Sequence, residues 1–260
     1  MPRTPRPAEP PITGFVPMED GRTRLLVRGG WEDAAAVVAN SEGAVRAGIV
    51  AGGREAHAVV ELPNGERAVL RRYRRGGLVR HFNRELYFGG NRAFDELRAT
   101  ERARAGGVRA PLVIAAVERP ARLAGYRALL ATVLIPNARN AAAFLADAAE
   151  DERREVLREA GRQVGLMHAA GVAHPDLNLR NLLVAEEGGA RVVYLLDFDR
   201  AQVSAGPVSP ACRERDLRRL SRSARKLRAP IPPDAWSAFR DGYGPDWPPG
   251  VDLTKARKTP

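Results

Sequence analysis

Two short segments in the second half of the chain carry residue types that could perform phosphoryl transfer. The first, residues 174–181, reads His-Pro-Asp-Leu-Asn-Leu-Arg-Asn and supplies the Asp176 carboxylate and the Asn181 amide. The second, the Asp-Phe-Asp at residues 197–199, supplies a further carboxylate at its first position. Phosphoryl transfer needs an oxygen base that accepts a hydroxyl proton and oxygen ligands that hold Mg²⁺ against nucleotide phosphates. The spacing His-x-Asp-x-x-x-x-Asn, followed by an acidic segment, therefore predicts a kinase.

The stretch between these two segments predicts a β-hairpin. Apolar runs at residues 182–184 and 192–196 flank a turn at residues 186–189. A hairpin of this length would bring Asn181 and Asp197 to the same end, where both could bind one metal ion. The order of loop, hairpin and acidic segment is more specific than the first motif alone, because His, Asp and Asn are common in ordinary turns.

The elements that must position these residues follow an α+β order. The first half predicts five strands with a helix after the third, and the second half predicts helices on both sides of the hairpin. This order predicts a two-lobed protein-kinase-like fold with a small antiparallel β-sheet N-terminal lobe and a mainly helical C-terminal lobe. The predicted strands cover residues 44–51, 58–62, 67–73, 112–117 and 126–134. The predicted helices cover residues 78–105, with an interruption near residues 89–90, and residues 141–148, 152–169, 213–227 and 233–240.

Composition shifts predict where these lobes begin and end. Residues 1–20 are rich in proline and arginine and are predicted to be a disordered tail. Residues 21–135 are assigned to the N-terminal lobe and residues 136–242 to the C-terminal catalytic lobe. Residues 243–260 again carry many prolines and glycines and are predicted to be a flexible tail.

The bulk composition is typical of a soluble globular protein that is long enough to bury a core. The chain has 260 residues, of which 44% are hydrophobic, and no apolar stretch approaches the roughly 20 residues that a membrane helix needs. The first residues lack the apolar segment of a secretory signal. The single cysteine, Cys212, excludes an internal disulfide framework. These features predict a cytoplasmic protein.

The charge predicts anionic partners. The formal net charge is +11, and nearly all of the positive charge is arginine. A basic surface favours phosphate substrates, acidic lipid headgroups or nucleic acid. Scattered aromatic residues and the lack of a stacking motif argue against nucleic acid. We expect Arg74, Arg75 and Arg80 to contact an anionic membrane surface or substrate phosphates. The lysines are Lys226, Lys255 and Lys258.

Three segments, residues 71–78, 174–181 and 196–200, resemble the lipopolysaccharide core kinase family, and most nearly its kinases of 3-deoxy-D-manno-octulosonic acid (Kdo). The likeness extends over roughly residues 45–228. It implies ATP- and Mg²⁺-dependent phosphorylation of a sugar hydroxyl on the inner core or lipid A of lipopolysaccharide. It also implies a peripheral enzyme on the cytoplasmic face of the inner membrane.

The resemblance assigns roles to the residues of the two motifs. Asp176 would orient and deprotonate the acceptor hydroxyl as the catalytic base. Asn181 and Asp197 match the two Mg²⁺ ligands. His174 is expected to brace the loop by hydrogen bonding rather than to take part in the chemistry.

The resemblance also assigns the residues that bind the nucleotide phosphates. Gly52 and Gly53 match the loop that lies over the phosphates, and Glu96 matches the helix glutamate that anchors a phosphate-binding cation. No lysine stands on the predicted third strand, so that cation is Arg71, with Arg72 as the alternative if the strand register differs by one. A guanidinium can bind phosphate and pair with Glu96 in bidentate fashion, although its bulk and geometry differ from those of an ammonium.

Two departures from the protein-kinase pattern leave alternatives open. Asn178 stands where protein kinases usually have a lysine, and Asp199 replaces the glycine of Asp-Phe-Gly, which removes a flexible hinge. The first departure favours a small-molecule or glycolipid kinase. The alternatives are a pseudokinase that binds nucleotide without efficient transfer, and an atypical short protein kinase.

Overall fold

A seven-stranded antiparallel sheet forms the N-terminal lobe of the computed structural model, which describes residues 12–40, 46–52, 55–73, 92–121 and 125–255, without the side chains of residues 46–56. The strands are β1 (Phe15–Asp20), β2 (Thr23–Arg28), β3 (Arg46–Gly52), β4 (Glu55–Glu61), β5 (Arg67–Arg72), β6 (Val113–Pro120) and β7 (Tyr126–Val133). They lie in the order β1-β2-β6-β7-β5-β4-β3, which places β5 in the sheet interior beside β7.

Side chains alternate between the two faces of this sheet, and each face is covered by a helix. On β7, Leu129 packs with helix α1 (Ala34–Ala39), whereas the next residue, Leu130, packs with helix α2 (Arg92–Ala105). This is the two-residue period of a strand that is buried on both sides. The face that packs on α2 also faces the second lobe and therefore positions the site.

The C-terminal lobe is built on helices, which are α3 (Ala141–Asp147), α4 (Glu150–Ala169), α5 (Pro210–Lys226) and α6 (Pro233–Tyr243). Helix α4 buries an apolar stripe that includes Leu157, Val164 and Met167, at the spacing of one helix face. These residues share a single hydrophobic core with buried residues of α5, α6 and the hairpin over residues 182–195.

Helices α4 and α6 approach closely because glycines lie at their contact. A Cβ added at Gly161 would lie 1.9 Å from the carbonyl oxygen of Phe239, and one added at Gly165 would lie 2.4 Å from that of Tyr243. Neither position can therefore carry a side chain without separating the helices. We call this contact the glycine seam.

Five short strands form two small sheets in the described part of the C-terminal lobe. The predicted hairpin is confirmed as an antiparallel pair in which Leu182 lies opposite Leu195. The short strands of this lobe are β8 (Arg139–Asn140), β9 (Val172–Ala173), β10 (Leu182–Glu187), β11 (Ala190–Leu195) and β12 (Gln202–Val203), and β8 extends the hairpin while β12 pairs with β9.

The prediction of a disordered tail over residues 1–20 is wrong for residues 15–20, which form β1. Pro17 lies opposite Leu26 in this edge strand, and edge strands tolerate a residue that lacks a backbone N–H. Strand β2 and helix α1 were not predicted either, and the sheet has two more strands, β1 and β2, than the five that were predicted. Residues 1–11 lie outside the described residues.

The prediction of a flexible tail over residues 243–260 is wrong up to residue 255. Tyr243 belongs to α6, and Val251 and Leu253 are buried in the helical core. Ser221 Oγ donates to the carbonyl oxygen of Leu253 at 2.8 Å, and the Trp247 ring packs edge-on against Tyr243. These contacts fix a segment whose proline and glycine content had suggested disorder.

Between the lobes, β7 ends at Val133 and β8 begins at Arg139. The lobe boundary after residue 135 stays a prediction. No helix among the described residues is both long enough and apolar enough to cross a bilayer.

Candidate active site

A cleft of about 1280 Å³ lies between the sheet and the helical lobe. Its walls come from β5, β7 and α2 on one side, from residues 134–138 that join the lobes, and from the 174–181 loop, β10 and α5 on the other side. The cleft brings together six residues that the sequence predicted as functional, namely Arg71, Glu96, Asp176, Asn178, Asn181 and Asp197.

The 174–181 loop is held in shape by its own amide side chains. Asn178 Nδ2 and Asn181 Nδ2 both donate to the backbone carbonyl of Asp176, at 2.8 and 3.0 Å. Asn178 Oδ1 also accepts from Arg180 N at 2.9 Å and caps the short 3₁₀ turn that follows. The Asp176 carboxylate is 47% exposed and accepts a hydrogen bond from Arg219 Nη2. The loop therefore fixes its backbone while it leaves the carboxylate of Asp176 at the cleft surface.

The hairpin brings the two predicted metal ligands to one end, as expected from the sequence. Leu196 N donates to Asn181 O at 2.8 Å, one residue beyond the last paired residues of the hairpin. Asp197 then adopts a φ of 62°, a left-handed conformation that aspartate tolerates better than most residues. This conformation turns the chain out of the strand at the residue whose carboxylate faces the cleft.

Arg71 joins both lobes through its guanidinium. Its Nη1 donates to Glu96 Oε1 of α2 at 2.6 Å, and its Nη2 donates to Asp197 Oδ1 at 2.7 Å. Arg72 also lines the cleft, but the predicted contact with Glu96 is made by Arg71. The predicted bidentate pairing with Glu96 does not occur, because the second nitrogen binds Asp197 instead.

Glu96 is held from its other side by Tyr73, whose hydroxyl donates to Glu96 Oε2. Burial raises the pKa of Glu96 to about 7, against the opposing effect of Arg71. Burial, together with the neighbouring Glu96, also raises the pKa of Tyr73. Burial disfavours the charged guanidinium of Arg71, but Glu96 and Asp197 outweigh it and the pKa of Arg71 is raised. Arg71 therefore stays charged throughout the physiological range.

A second ion pair links α2 to the Asp-Phe-Asp segment. Arg92 Nε donates to Asp199 Oδ1 at 2.6 Å, and Arg92 Nη2 donates to Asp199 Oδ2. The guanidinium of Arg92 lies 5.3 Å from the Tyr73 ring centroid, and that of Arg71 lies 5.2 Å from the same centroid. Because Asp199 is not among the residues with positive φ, a side chain at this position costs no backbone strain.

His174 connects the loop to the strand that precedes Asp197. Its Nε2 lies 3.0 Å from the carbonyl oxygen of Leu196, which requires the proton on that nitrogen, and its ring packs against Phe198 at 5.5 Å between centroids. These contacts are those expected of a bracing residue, and the role itself stays a prediction.

Asp216 of α5 anchors this loop and was missed by the sequence analysis. The carboxylate is fully buried and accepts from His174 N at 2.6 Å, while His168 Nε2 lies 3.4 Å away. Although burial works to raise it, these partners hold the pKa of Asp216 below its usual value. Burial lowers the pKa of His168, so its imidazole is neutral, with Nδ1 2.8 Å from the Tyr243 hydroxyl. The sequence did carry a signal for Asp216, because this carboxylate occupies a position of α5 at which the helical pattern predicts an apolar, buried residue.

The apolar wall of the cleft was also missed. Val69 and Leu130 on the sheet side, Ile135 between the lobes, and Leu183 of β10 line it. These residues follow ordinary strand patterns, so the sequence carried no sign that they face a cavity rather than the core.

The predicted phosphate loop is described only in part. Gly52 is the last residue of β3 and lies opposite Glu55. Gly53 lies outside the described residues, as do Arg74, Arg75 and Arg80. The predicted contacts of all of these residues with phosphate groups stay predictions.

The donor set at the hairpin end suits Mg²⁺ held together with phosphates. Within the described ranges, no three His, Cys, Asp or Glu side chains form a ready metal cage. Asn181 and Asp197 would supply one amide oxygen and one carboxylate, since Asn181 already uses its Nδ2 toward Asp176. Mg²⁺ commonly binds one or two protein oxygens and completes its shell with water and substrate phosphates. The residues present therefore fit this ion.

Sheet lobe, helical lobe and intervening cleft together define a two-lobed protein-kinase-like fold. The same fold occurs in the solved structure of WaaP in complex with acyl carrier protein, with a TM-score of 0.58 over 85% of this chain and 88% of that chain at 18% sequence identity.

The chain belongs to the lipopolysaccharide kinase (Kdo/WaaP) family, whose model matches residues 45–243. It is 38% identical over 184 residues to a 3-deoxy-D-manno-octulosonic acid kinase of Xanthomonas oryzae pv. oryzae, covering 68% of this chain and 69% of that protein. Proteins of the same description from Actinobacillus succinogenes and Vibrio cholerae are 34% and 35% identical, over 61% and 60% of this chain. These two alignments span just under two thirds of the relatives, at 66% and 65% of their length.

Proposed function

We propose that this protein is an ATP- and Mg²⁺-dependent kinase that phosphorylates a hydroxyl of a Kdo-type sugar in the inner core of lipopolysaccharide. The observation that carries the proposal is the convergence of Asp176, Asn181, Asp197 and Arg71 on one cleft. Membership in the lipopolysaccharide kinase family, and the similarity to 3-deoxy-D-manno-octulosonic acid kinases, support the choice of acceptor.

The nucleotide would lie between the lobes with its base against the apolar wall. Val69 and Leu183 approach this part of the cleft from opposite lobes, and Ile135 lies between them. A flat purine can fill such a space while its phosphates extend toward Arg71 and the hairpin end. When bound, ATP supplies the γ-phosphoryl group and Mg²⁺ neutralises charge on the phosphates.

Arg71 would bind the phosphates, and Asn181 and Asp197 would hold the metal ion. Glu96 fixes the direction of the Arg71 guanidinium from a buried position, so that little reorganisation is needed when the phosphates arrive. Asp197 would exchange its contact with Arg71 for the cation. Gly52 and Gly53 are proposed to lie over the phosphates.

Asp176 would accept the proton of the attacking hydroxyl. Its exposed carboxylate lies on a backbone that two asparagine amides and the contact between Asp216 and His174 N keep in place. Arg219 contacts the carboxylate and would keep it oriented toward the acceptor. Positioning of this kind contributes through geometry as much as through basicity.

We further propose that the protein works at the anionic surface of the inner membrane on its cytoplasmic face. The net charge of +11 and the acceptor class support this placement. The partners would be a lipopolysaccharide core or lipid A glycolipid and anionic lipid headgroups, without nucleic acid.

One contact favours the pseudokinase alternative. Arg71 Nη2 binds the same Asp197 carboxylate that the metal ion would use, at 2.7 Å. A protein in which that contact persisted with nucleotide bound would bind ATP without efficient transfer.

Transfer of labelled phosphate from ATP to truncated core glycolipids tests both alternatives. Asp176→Asn and Asp197→Asn should each lower turnover by about 10²-fold or more while thermal unfolding stays near that of the wild type. Asp234→Asn is the matched control, since Asp234 is also 47% exposed but lies on α6, outside the residues that line the cleft. ATP binding without transfer to any acceptor would support the pseudokinase, and transfer to a protein acceptor in preference to glycolipid would support the atypical protein kinase.

A further inference from the structure

One face of helix α5 carries a row of basic side chains. Arg215, Arg219, Arg222 and Lys226 are spaced by four, three and four residues, which places them along one side of the helix. All four are exposed. The buried residues of the same helix, among them Leu217 and Leu220, lie on the side that packs into the core.

The C-terminal part of this row faces the cleft. Arg219, Arg222 and Lys226 line it, as do Asp176 and, from the catalytic loop, Arg180. We call Arg180, Arg219, Arg222 and Lys226 the basic cleft face. It lies beside the proposed base, whereas Arg71 contacts Glu96 of α2 and Asp197.

Three of the four charges of the basic cleft face have no ion-pair partner among the described residues. Arg219 pairs with Asp176, but no ion pair to the side chains of Arg180, Arg222 or Lys226 occurs within the described part of the chain. Elsewhere on α5, Arg213, Arg215 and Arg218 pair with Asp246, Asp216 and Glu214. Unpaired like charges that share a partly enclosed cleft repel one another, and this repulsion is relieved when an anion binds between them.

We propose that the basic cleft face is an anion-binding subsite for the acceptor, which holds carboxylate or phosphate groups of an acidic sugar or phosphorylated glycolipid while its hydroxyl lies at Asp176. The inference rests on the proposed function and adds the residues that select the acceptor. Arg219 and Lys226 lie seven positions apart, which is about 10 Å along the helix axis. This length accommodates two anionic groups of one acceptor.

The first test measures acceptor kinetics in Arg222→Gln, Lys226→Gln and the double variant. Each single change should raise KM for the glycolipid acceptor by about 3- to 10-fold, and the double change by more, while KM for ATP stays within about twofold of wild type. Arg225→Gln removes the same charge from the same turn but lies outside the cleft lining, so it serves as the matched control. An unchanged acceptor KM in the double variant overturns the subsite.

The second test separates the subsite from the proposed reaction. Binding of free Kdo, of its carboxyl methyl ester and of inorganic phosphate is measured by calorimetry, without turnover. The wild type should bind the free acid more tightly than the ester, and the double variant should lose that difference. If this holds but no phosphate is transferred to glycolipid, the proposed function fails while the subsite stands. If the wild type binds free Kdo and its methyl ester equally, the subsite does not recognise the carboxylate. If the wild type in addition fails to bind inorganic phosphate, the proposed subsite is wrong.

A third measurement distinguishes the acceptor from the membrane surface. Vesicles of anionic phospholipid without any sugar acid should bind the double variant and Arg225→Gln equally. Vesicle binding that depends on Arg222 and Lys226, together with unchanged binding of free Kdo and phosphate, would assign the basic cleft face to the membrane and contradict the proposal.

Discussion

Removal of the ion pair between Arg92 and Asp199 should slow phosphate transfer without weakening acceptor binding. Two nitrogens of Arg92 donate to the two carboxylate oxygens of Asp199, and this pair joins helix α2 to the segment that carries Asp197. Asp197 lies two residues earlier and is the proposed metal ligand. A loosened Asp199 would therefore let that ligand leave its position beside Arg71.

The size of the effect follows from the partial burial of the pair. The Arg92 side chain is 23% exposed and that of Asp199 is 11% exposed. Exposed pairs contribute up to about 1 kcal/mol, whereas loss of one partner of a fully buried pair costs about 3–5 kcal/mol. We expect a coupling of about 2 kcal/mol, which corresponds to about 30-fold in the population with the segment in place. In each of the two variants, Arg92→Ala and Asp199→Ala, kcat should fall by about 10- to 30-fold.

A double-mutant cycle measures this coupling from denaturant titrations and from kcat in the wild type, both single variants and the double variant. Arg98→Ala is the matched control, because Arg98 pairs with Asp95 on a more exposed part of the same helix and should cost no more than about 0.5 kcal/mol. A coupling energy between Arg92 and Asp199 below about 0.5 kcal/mol, or wild-type kcat in both single variants, would refute the reasoning.

Three further predictions concern the phosphate-binding cation, its buried partner and the glycine seam. Arg71→Lys should lower kcat/KM for ATP by about tenfold, because one ammonium cannot contact Glu96 and Asp197 through separate nitrogens; steady-state kinetics at varied ATP measures this. Burial raises the pKa of Glu96 to about 7, so the folded state retains a proton that the unfolded state has lost. Between about pH 4.5 and about pH 7, the free energy of unfolding should fall by up to roughly 3 kcal/mol more in the wild type than in Glu96→Gln, as denaturant titrations would show. Gly161→Ala should lower Tm by roughly 10 °C in a calorimetric scan, since the added carbon would lie 1.9 Å from the carbonyl oxygen of Phe239.

Each of these three predictions has a control or a contrary outcome. A lysine variant at Arg71 as efficient as the wild type would contradict the forked contact. Parallel pH profiles for the wild type and Glu96→Gln would show that the carboxyl proton is not retained on folding. Gly206→Ala is the control for the seam, because nothing lies within 4 Å of an added Cβ there; equal losses in both glycine variants would contradict the packing argument.

Local patterns were sufficient to predict the catalytic hairpin and its loop. The apolar runs and the turn between them predicted the hairpin, and the pairing of Leu182 with Leu195 brings Asn181 and Asp197 to the same end as expected. To choose between Arg71 and Arg72 as the phosphate-binding cation, one must know which face of the sheet each side chain occupies. The burial pattern of β5 shows this only once the strands of the sheet are paired.

The contacts that complete the site are long-range and could not be predicted from the sequence. Arg92 and Asp199 are 107 residues apart, and His174 and Asp216 are 42 residues apart. Each pair meets because whole elements pack together, and a single sequence does not state which helix face meets which loop.

The two missed chain ends have different physical reasons. In β2, Thr23, Leu25 and Val27 are buried in alternation, so the strand signal was present but was outweighed by the neighbouring prolines. At the other end, Trp247 and Leu253 add apolar surface to the core from a segment without helix or strand, and composition alone does not distinguish such a packed segment from a free one.

Helix α5 serves both the 174–181 loop and the cleft, from neighbouring strips of its surface. Asp216 holds His174 N and Ser223 Oγ accepts from Leu179 N, while the exposed Arg222 and Lys226 line the cleft. Substitution of Arg222 or Lys226 could thus change which acidic sugar is accepted, while the contacts of Asp216 and Ser223 with the loop stay intact. Related enzymes could diverge in this way. Insertion of a single residue would rotate everything beyond it by roughly 100° and spoil both surfaces together, so this helix should accept substitutions but not changes in length.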